Sequence, residues 1–219
     1  MVKNAIKEII ISVDSQSKLP VYKTTINMIE YWHNSNFLNI VRRTVNPIII
    51  RWKYKIRMRH RNPLKLHLGC GNQHLEDYEN IDLRKTWATN LVCDIKKLPY
   101  PDNSVALIET YHVIEHIPRH DLPNALKEWY RLLIQGGKLI IECPDFDEDV
   151  KEYIEGNEKR MDSIFGLQRF PGDTHLFGYN FKTLKQLLET SGFKEIQRKE
   201  PKDYHAKNEP CLRIEGTRL

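Results

Sequence analysis

The sequence predicts an α/β fold: a mainly parallel sheet with helices on both faces, filling residues 62–219 behind a basic extension, residues 1–61. Three observations predict it. Beyond Pro63, short apolar runs alternate with stretches of helical period, as a sheet covered on both sides requires. One run, LKLHL at 64–68, passes straight into Gly69-Cys70-Gly71. The charge also divides at this boundary. Residues 1–61 hold 12 Lys and Arg against 3 Asp and Glu, net +9; the rest holds 22 against 26, net −4.

The elements follow in order. Helical pieces are expected over 21–34 and 36–43, and Pro47 interrupts them. Asn62-Pro63 marks the boundary, because the residue before proline avoids helix. Strands are expected at 64–68, 80–83 (NIDL), 90–95 (NLVCDI) and 105–111 (VALIETY). Over 121–134, Leu122, Ala125, Leu126, Trp129, Leu132 and Leu133 recur at helical spacing, with Asp121 as N-cap and Gly136-Gly137 as terminator. A strand follows at 138–143 (KLIIEC), then a helix over 180–190 stopped by Gly192. KEIQRK (194–199) and CLRIEG (211–216) close the chain as strands.

Composition sets bounds. No apolar run approaches the roughly 18 residues that a membrane span needs, and no leader pattern opens the chain, so a cytoplasmic location is expected. Cys70, Cys93, Cys143 and Cys211 are scattered without zinc-finger spacing, which suits a reducing compartment.

Ligands of such sheets bind at the carboxyl ends of strands beside the switch point. Leu68-Gly69-Cys70-Gly71 lies there, where side chains would block close approach of a ligand to the backbone. His74 stands where the dinucleotide fingerprint has its third glycine, which argues against a pyrophosphate cradle and NAD. Asp82, with Leu83 beside it, ends the second expected strand and can accept both hydroxyls of a ribose. Asp94 ends the third and can accept an adenine amino group. Each acid alone would be an ordinary solvated strand end; two beside a glycine turn point to a nucleoside.

The blocks LHLGCG, NIDL, DIKKLPYPDNS, IEHI, RLLIQGGKLIIECPD and LLETSGF together resemble class I S-adenosylmethionine-dependent methyltransferases over about residues 64–198. They are most similar to a type-11-like branch associated with polysaccharide and glycan synthesis. The resemblance implies a Rossmann-like sheet of seven strands with the last antiparallel, and S-adenosyl-L-methionine as cofactor. It implies that the glycine turn meets the methionine part, Asp82 the ribose, and Asp94 with Ile95 the adenine, while Tyr111 and His112 line the far side. The chain departs from the pattern in one respect. Only 11 positions separate Gly71 from Asp82, against about 20 usually, so the first crossover helix must shrink to a loop.

Methyl transfer needs alignment above all, but a sugar hydroxyl gains from a general base. His175, in FPGDTHLFGYN (170–180), is the first choice; the resemblance places this insertion on the substrate side. His116 is the second, either oriented by Glu115 as a base or anchoring its loop. Asp145 and Asp173 are candidates to orient substrate. The H-x-x-E-H order of His112, Glu115 and His116 matches a zinc-protease pattern, but Pro118 follows at once and the position suits a cofactor. O-methyltransferases of quinone synthesis carry glutamate in place of His112 and hold a divalent metal with such a cluster; nothing else in the sequence supports one, and no metal is expected.

Residues 48–61 alternate Trp52, Tyr54 and Ile56 with Arg51, Lys53, Lys55, Arg57, Arg59 and Arg61. Residues 42–61 could form a lid with solvated charge, or contact an anionic membrane surface or a lipid-linked substrate. Nucleic acid is disfavoured, since ETYHVIEH lacks the N/D-P-P-Y/F block that stacks a flipped base. The expected function is O-methylation of a sugar, glycan or lipid-linked intermediate. The rivals are an RNA methyltransferase and a cofactor-binding partner protein without turnover.

Overall fold

The computed structural model describes residues 63–219; the expected helices over 21–43 and the basic stretch 42–61 lie outside the described residues. Strands β1 (Leu64–Leu68), β2 (Glu79–Asp82), β3 (Leu91–Val92) and β4 (Val105–Tyr111) come first. Helix α1 (Leu122–Leu132), β5 (Leu133–Pro144), α2 (Phe146–Ile154) and α3 (Arg160–Phe165) follow. Helix α4 (Phe181–Thr190), β6 (Lys194–Lys199) and β7 (Cys211–Thr217) complete the order. None of the described helices is long and apolar enough to cross a membrane.

The sheet has seven strands in the order β3-β2-β1-β4-β5-β7-β6. β1 to β5 are mutually parallel, and β7 runs antiparallel to both of its neighbours. This is the Rossmann-like arrangement with one reversed strand that the resemblance implied. The chain winds outward from β1 to β3, then returns to place β4 on the other side of β1. That reversal opens a crevice at the carboxyl ends of β1 and β4.

Burial explains the elements. Six consecutive residues of β5, Leu139 to Pro144, are buried, and successive strand residues face opposite ways, so both faces of the sheet are covered there. Leu122, Ala125, Leu126, Trp129 and Leu132 form the buried stripe of α1. The fully buried Trp129 donates its indole N–H to the Ile95 carbonyl at 2.9 Å, so an apolar anchor also fixes the loop after β3. Asn180 and Thr183 cap α4 reciprocally.

The short first crossover needs a substitute for its helix, and Asn80 supplies it. Fully buried on β2, its side chain accepts from Leu75 N and donates to the carbonyls of Leu75 and Tyr78. One amide thus satisfies backbone groups that a helix would have paired internally.

Three expectations need correction. The third strand is only Leu91–Val92, because it pairs on one side alone, with β2. Asp121 stands at the α1 N-cap position, but its carboxylate is bound to Lys96 Nζ at 2.8 Å and caps nothing. Gly136-Gly137 does not end the helix; α1 stops at Leu132, and both glycines lie within β5. There Gly136, at φ +77°, allows a bulge that Arg218 closes with two backbone hydrogen bonds.

Candidate active site

A cavity of about 920 Å³ lies where the topology puts it, lined by residues following β1, β2, β3 and β4. Its floor is backbone. Gly69 and Gly71 have φ of +69° and +50°, and Gly69 N and Cys70 N both donate to Ile81 O. A Cβ on Gly69 would lie 2.2 Å from Val113 Cγ2, whereas one on Gly71 would meet nothing within 4 Å. The first glycine is therefore required by packing, and the second leaves open space above the turn.

Asp82 is buried between this turn and the next loop. Its Oδ2 accepts Gly71 N and its Oδ1 accepts Arg84 N, each at 2.8 Å. Each oxygen keeps a further lone pair for a ligand hydroxyl. Two backbone N–H groups thus hold the carboxylate at the cavity edge.

Of the other residues expected around the cofactor, Gly69, Cys70, Gly71, Leu83, Ile95, Tyr111 and His112 line the cavity. Leu68 is fully buried beneath the turn and does not. Asp94 does not reach the cavity either. It is exposed two residues beyond the short β3, with Oδ1 accepting Lys96 N. Tyr111 donates its hydroxyl to Glu109, which also accepts Tyr78. Burial and that carboxylate hold the Tyr111 phenol far above its ordinary range, so it stays a donor.

His112 has a φ of +52°, uncommon for a non-glycine residue, and its N–H donates to Glu142 O. Its ring stacks on His205 at 3.9 Å between centroids, and its Nδ1 lies 3.5 Å from Glu115 Oε1 and 3.7 Å from Glu209 Oε1. Burial alone would lower its pKa; contacts with Cys211 and Glu115 outweigh burial and raise it.

The opposite wall comes from farther along the chain. His116, in a 3-10 turn after β4, and His175, in the insertion before α4, meet edge to face at 4.8 Å. Glu115 does not orient His116; the carbonyl of Thr174 does, 3.1 Å from Nδ1. His175 Nδ1 is 2.7 Å from the Ser163 carbonyl. Carbonyls only accept, so both rings carry hydrogen on Nδ1, which leaves Nε2 as the lone-pair nitrogen of the neutral ring. Burial lowers the His175 pKa, which keeps this lone pair available at neutral pH. Glu115 serves the insertion through its backbone, its carbonyl accepting Leu176 N at 2.7 Å. One ligand atom from each of Glu115, His116 and His175 lies within 4.8 Å of the others, and His112, His205 and Glu209 form a similar group.

Asp173 and Asp145 are otherwise engaged. Asp173 takes three hydrogen bonds from Arg169, which hold its pKa down to about 2. Asp145 pairs with Arg198 at 2.5 Å away from the cavity. Sequence reading missed Arg84, whose guanidinium lies over the Phe170 ring at 4.4 Å across the cavity lining. It also missed Tyr204, His205 and Glu209, from the connection between β6 and β7. This connection hangs on Glu142, fully buried on β5, whose carboxylate accepts the N–H groups of Lys202 and Asp203 and pairs with Arg213. The aromatic and histidine content of 204–205 was the available signal.

Residues 66–141 match a family model described as a methyltransferase domain, and they contain the glycine turn, Asp82 and His112. The chain carries an S-adenosylmethionine-dependent methyltransferase domain. The methyltransferase is similar in fold to a solved SAM-dependent methyltransferase from Archaeoglobus fulgidus, at 15% identity and a TM-score of 0.53, over 88% of this chain and 99% of that one. Another, from Methanosarcina mazei, is 17% identical with a TM-score of 0.50, over 72% of this chain and 93% of the other. No curated protein matches the sequence. S-adenosyl-L-methionine is the cofactor, and the methyltransferase fits it: the open space at Gly71 and the uncommitted lone pairs of Asp82 lie side by side.

Proposed function

We propose that the methyltransferase transfers a methyl group to a hydroxyl of a sugar or glycan intermediate, lipid-linked forms included. The observation that carries this reading is the His116–His175 pair on the cavity wall, each ring fixed by a carbonyl with Nε2 unengaged. A hydroxyl is a weak nucleophile, and such a nitrogen is suited to take its proton.

Asp82 would hold the ribose and the glycine turn the methionine part, with Leu83 and Ile95 beside the adenine. When bound, the cofactor supplies an electrophilic methyl on a sulfonium. His175, half-buried and with a lowered pKa, is the base of choice. His116 packs on its ring and fixes its position. Phe170, with Arg84 over its ring, and Tyr204, with its ring against His205, also line the cavity. The family resemblance and the basic segment 42–61 support an anionic or lipid-linked acceptor.

A screen of tritiated methyl transfer over sugar nucleotides, lipid-linked glycans and RNA tests the reading. Label in a glycan fraction that is stable to base, as an ether is, supports it. Label in RNA alone overturns it.

A further inference from the structure

Helices α2 and α3 meet through polar groups. Among the described residues, Asp149 is the one buried residue of α2, and Arg160 and Ser163 are those of α3. Asp149 is fully buried, and its Oδ2 accepts Ser163 Oγ at 2.8 Å. Its Oδ1 lies 3.5 Å from Arg160 Nη1. Arg160 also donates Nη2 to the Asn208 carbonyl at 3.1 Å, and its Nε lies 3.4 Å from Glu152 Oε2 on α2. Apolar side chains of similar volume often hold two helices as well as a buried ion pair does. They do not hold a particular hydroxyl at a set point.

That point matters because α3 carries the partner of His175. The Ser163 carbonyl accepts the His175 Nδ1–H at 2.7 Å, and the Phe165 carbonyl accepts the His175 backbone N–H at 3.0 Å. Gly166, at φ +76°, ends α3 against the same ring: a Cβ there would lie 3.0 Å from His175 Cδ2. The hydrogen bond at one ring nitrogen decides the state of the other, so the Ser163 carbonyl selects Nε2 as the lone-pair nitrogen. Ser163 lines the cavity, whereas Asp149 and Arg160 stand behind it. One serine thus joins a buried carboxylate, through its hydroxyl, to the imidazole, through its carbonyl.

We propose that Asp149 and Ser163 are positioning residues for His175: the buried carboxylate seats Ser163, and the Ser163 carbonyl fixes the tautomer and the aim of the imidazole. Arg160 balances the charge of the carboxylate. The proposal rests on the reading of His175 as the base, and it places control of that base on a helix outside the cavity.

The test uses the full chain labelled with 15N-histidine, without acceptor. Long-range 1H–15N correlation spectra through a pH series give the tautomer and pKa of each ring, and His175→Ala assigns the His175 signals. We expect the Nδ1–H tautomer for His175 in the unaltered chain. In Ser163→Ala and Asp149→Asn this ring should become a mixture of both tautomers, with its pKa moved toward the ordinary value of about 6.5. His74, in the first crossover, should keep its signals. Ser163→Thr retains the hydroxyl and should retain the His175 signature. An unchanged signature in Ser163→Ala overturns the proposal, whatever its melting curve shows. So does a change that His74 shares equally. If Asp149→Asn does not fold, Ser163→Ala and Ser163→Thr decide between the outcomes. These spectra read positioning alone; the base reading stands or falls by methyl transfer in His175→Ala.

Discussion

The two sides of the cavity are built by different means. The cofactor side is backbone held by backbone and by one carboxylate: Gly69 N and Cys70 N on Ile81 O, Gly71 N and Arg84 N on the Asp82 side chain. The acceptor side is side chains held by distant carbonyls: His116 on Thr174, His175 on Ser163. The first arrangement spans 16 positions of sequence, from Gly69 to Arg84, and admits few residue types. The second joins three separate segments and can change its chemistry without disturbing the sheet. On the proposed reading, cofactor binding follows from the fold, and acceptor choice from what is appended to it.

Substitutions can break or sharpen that contrast. The largest effect is expected at Asp82→Ala, which unseats two backbone donors and removes the carboxylate proposed to hold the ribose. Cofactor affinity should fall by roughly two to four orders of magnitude in calorimetry. An unchanged affinity would remove the ribose assignment.

His175→Ala should lower turnover by about 10²- to 10⁴-fold and leave cofactor affinity intact. If cofactor affinity alone falls, the two sides are not separable and the base assignment fails. The pH profile gives a finer reading. A base works only when deprotonated, and burial lowers the His175 pKa. The kcat/KM profile should therefore be flat at neutral pH and fall on acidification with a midpoint below 6.5. A midpoint above that value would point to another group.

Gly69→Ala acts on the frame. The new Cβ meets Val113 at a backbone φ of +69°, so stability should drop by about 1–3 kcal/mol in thermal or urea unfolding. The smallest effect is expected at Asp94→Ala. Being exposed and off the cavity, Asp94 should change cofactor affinity by less than about threefold.

What could be read from the sequence follows the same division. β1, β4 and β6 fall at their expected residues because apolar runs and local punctuation determine them. The glycine turn and Asp82 were visible for the same reason. Asp94 was placed at a strand end that does not exist: β3 gains pairing from β2 alone and stops at Val92. Helices α2 and α3 went unread, since few of their residues are buried and no apolar stripe marks them. His116 and His175 were named singly, but their meeting depends on a loop carbonyl 58 positions from His116.

Glu142 carries a practical consequence. Because the sheet itself grips Lys202 and Asp203, and β7 begins at Cys211, the points where the chain leaves and re-enters the scaffold do not depend on residues 204–209. That short span is a natural graft site. Since Tyr204, His205 and Glu209 line the cavity, exchanging this span while the buried carboxylate and its arginine stay in place is expected to change the shape of the cavity and leave the sheet intact.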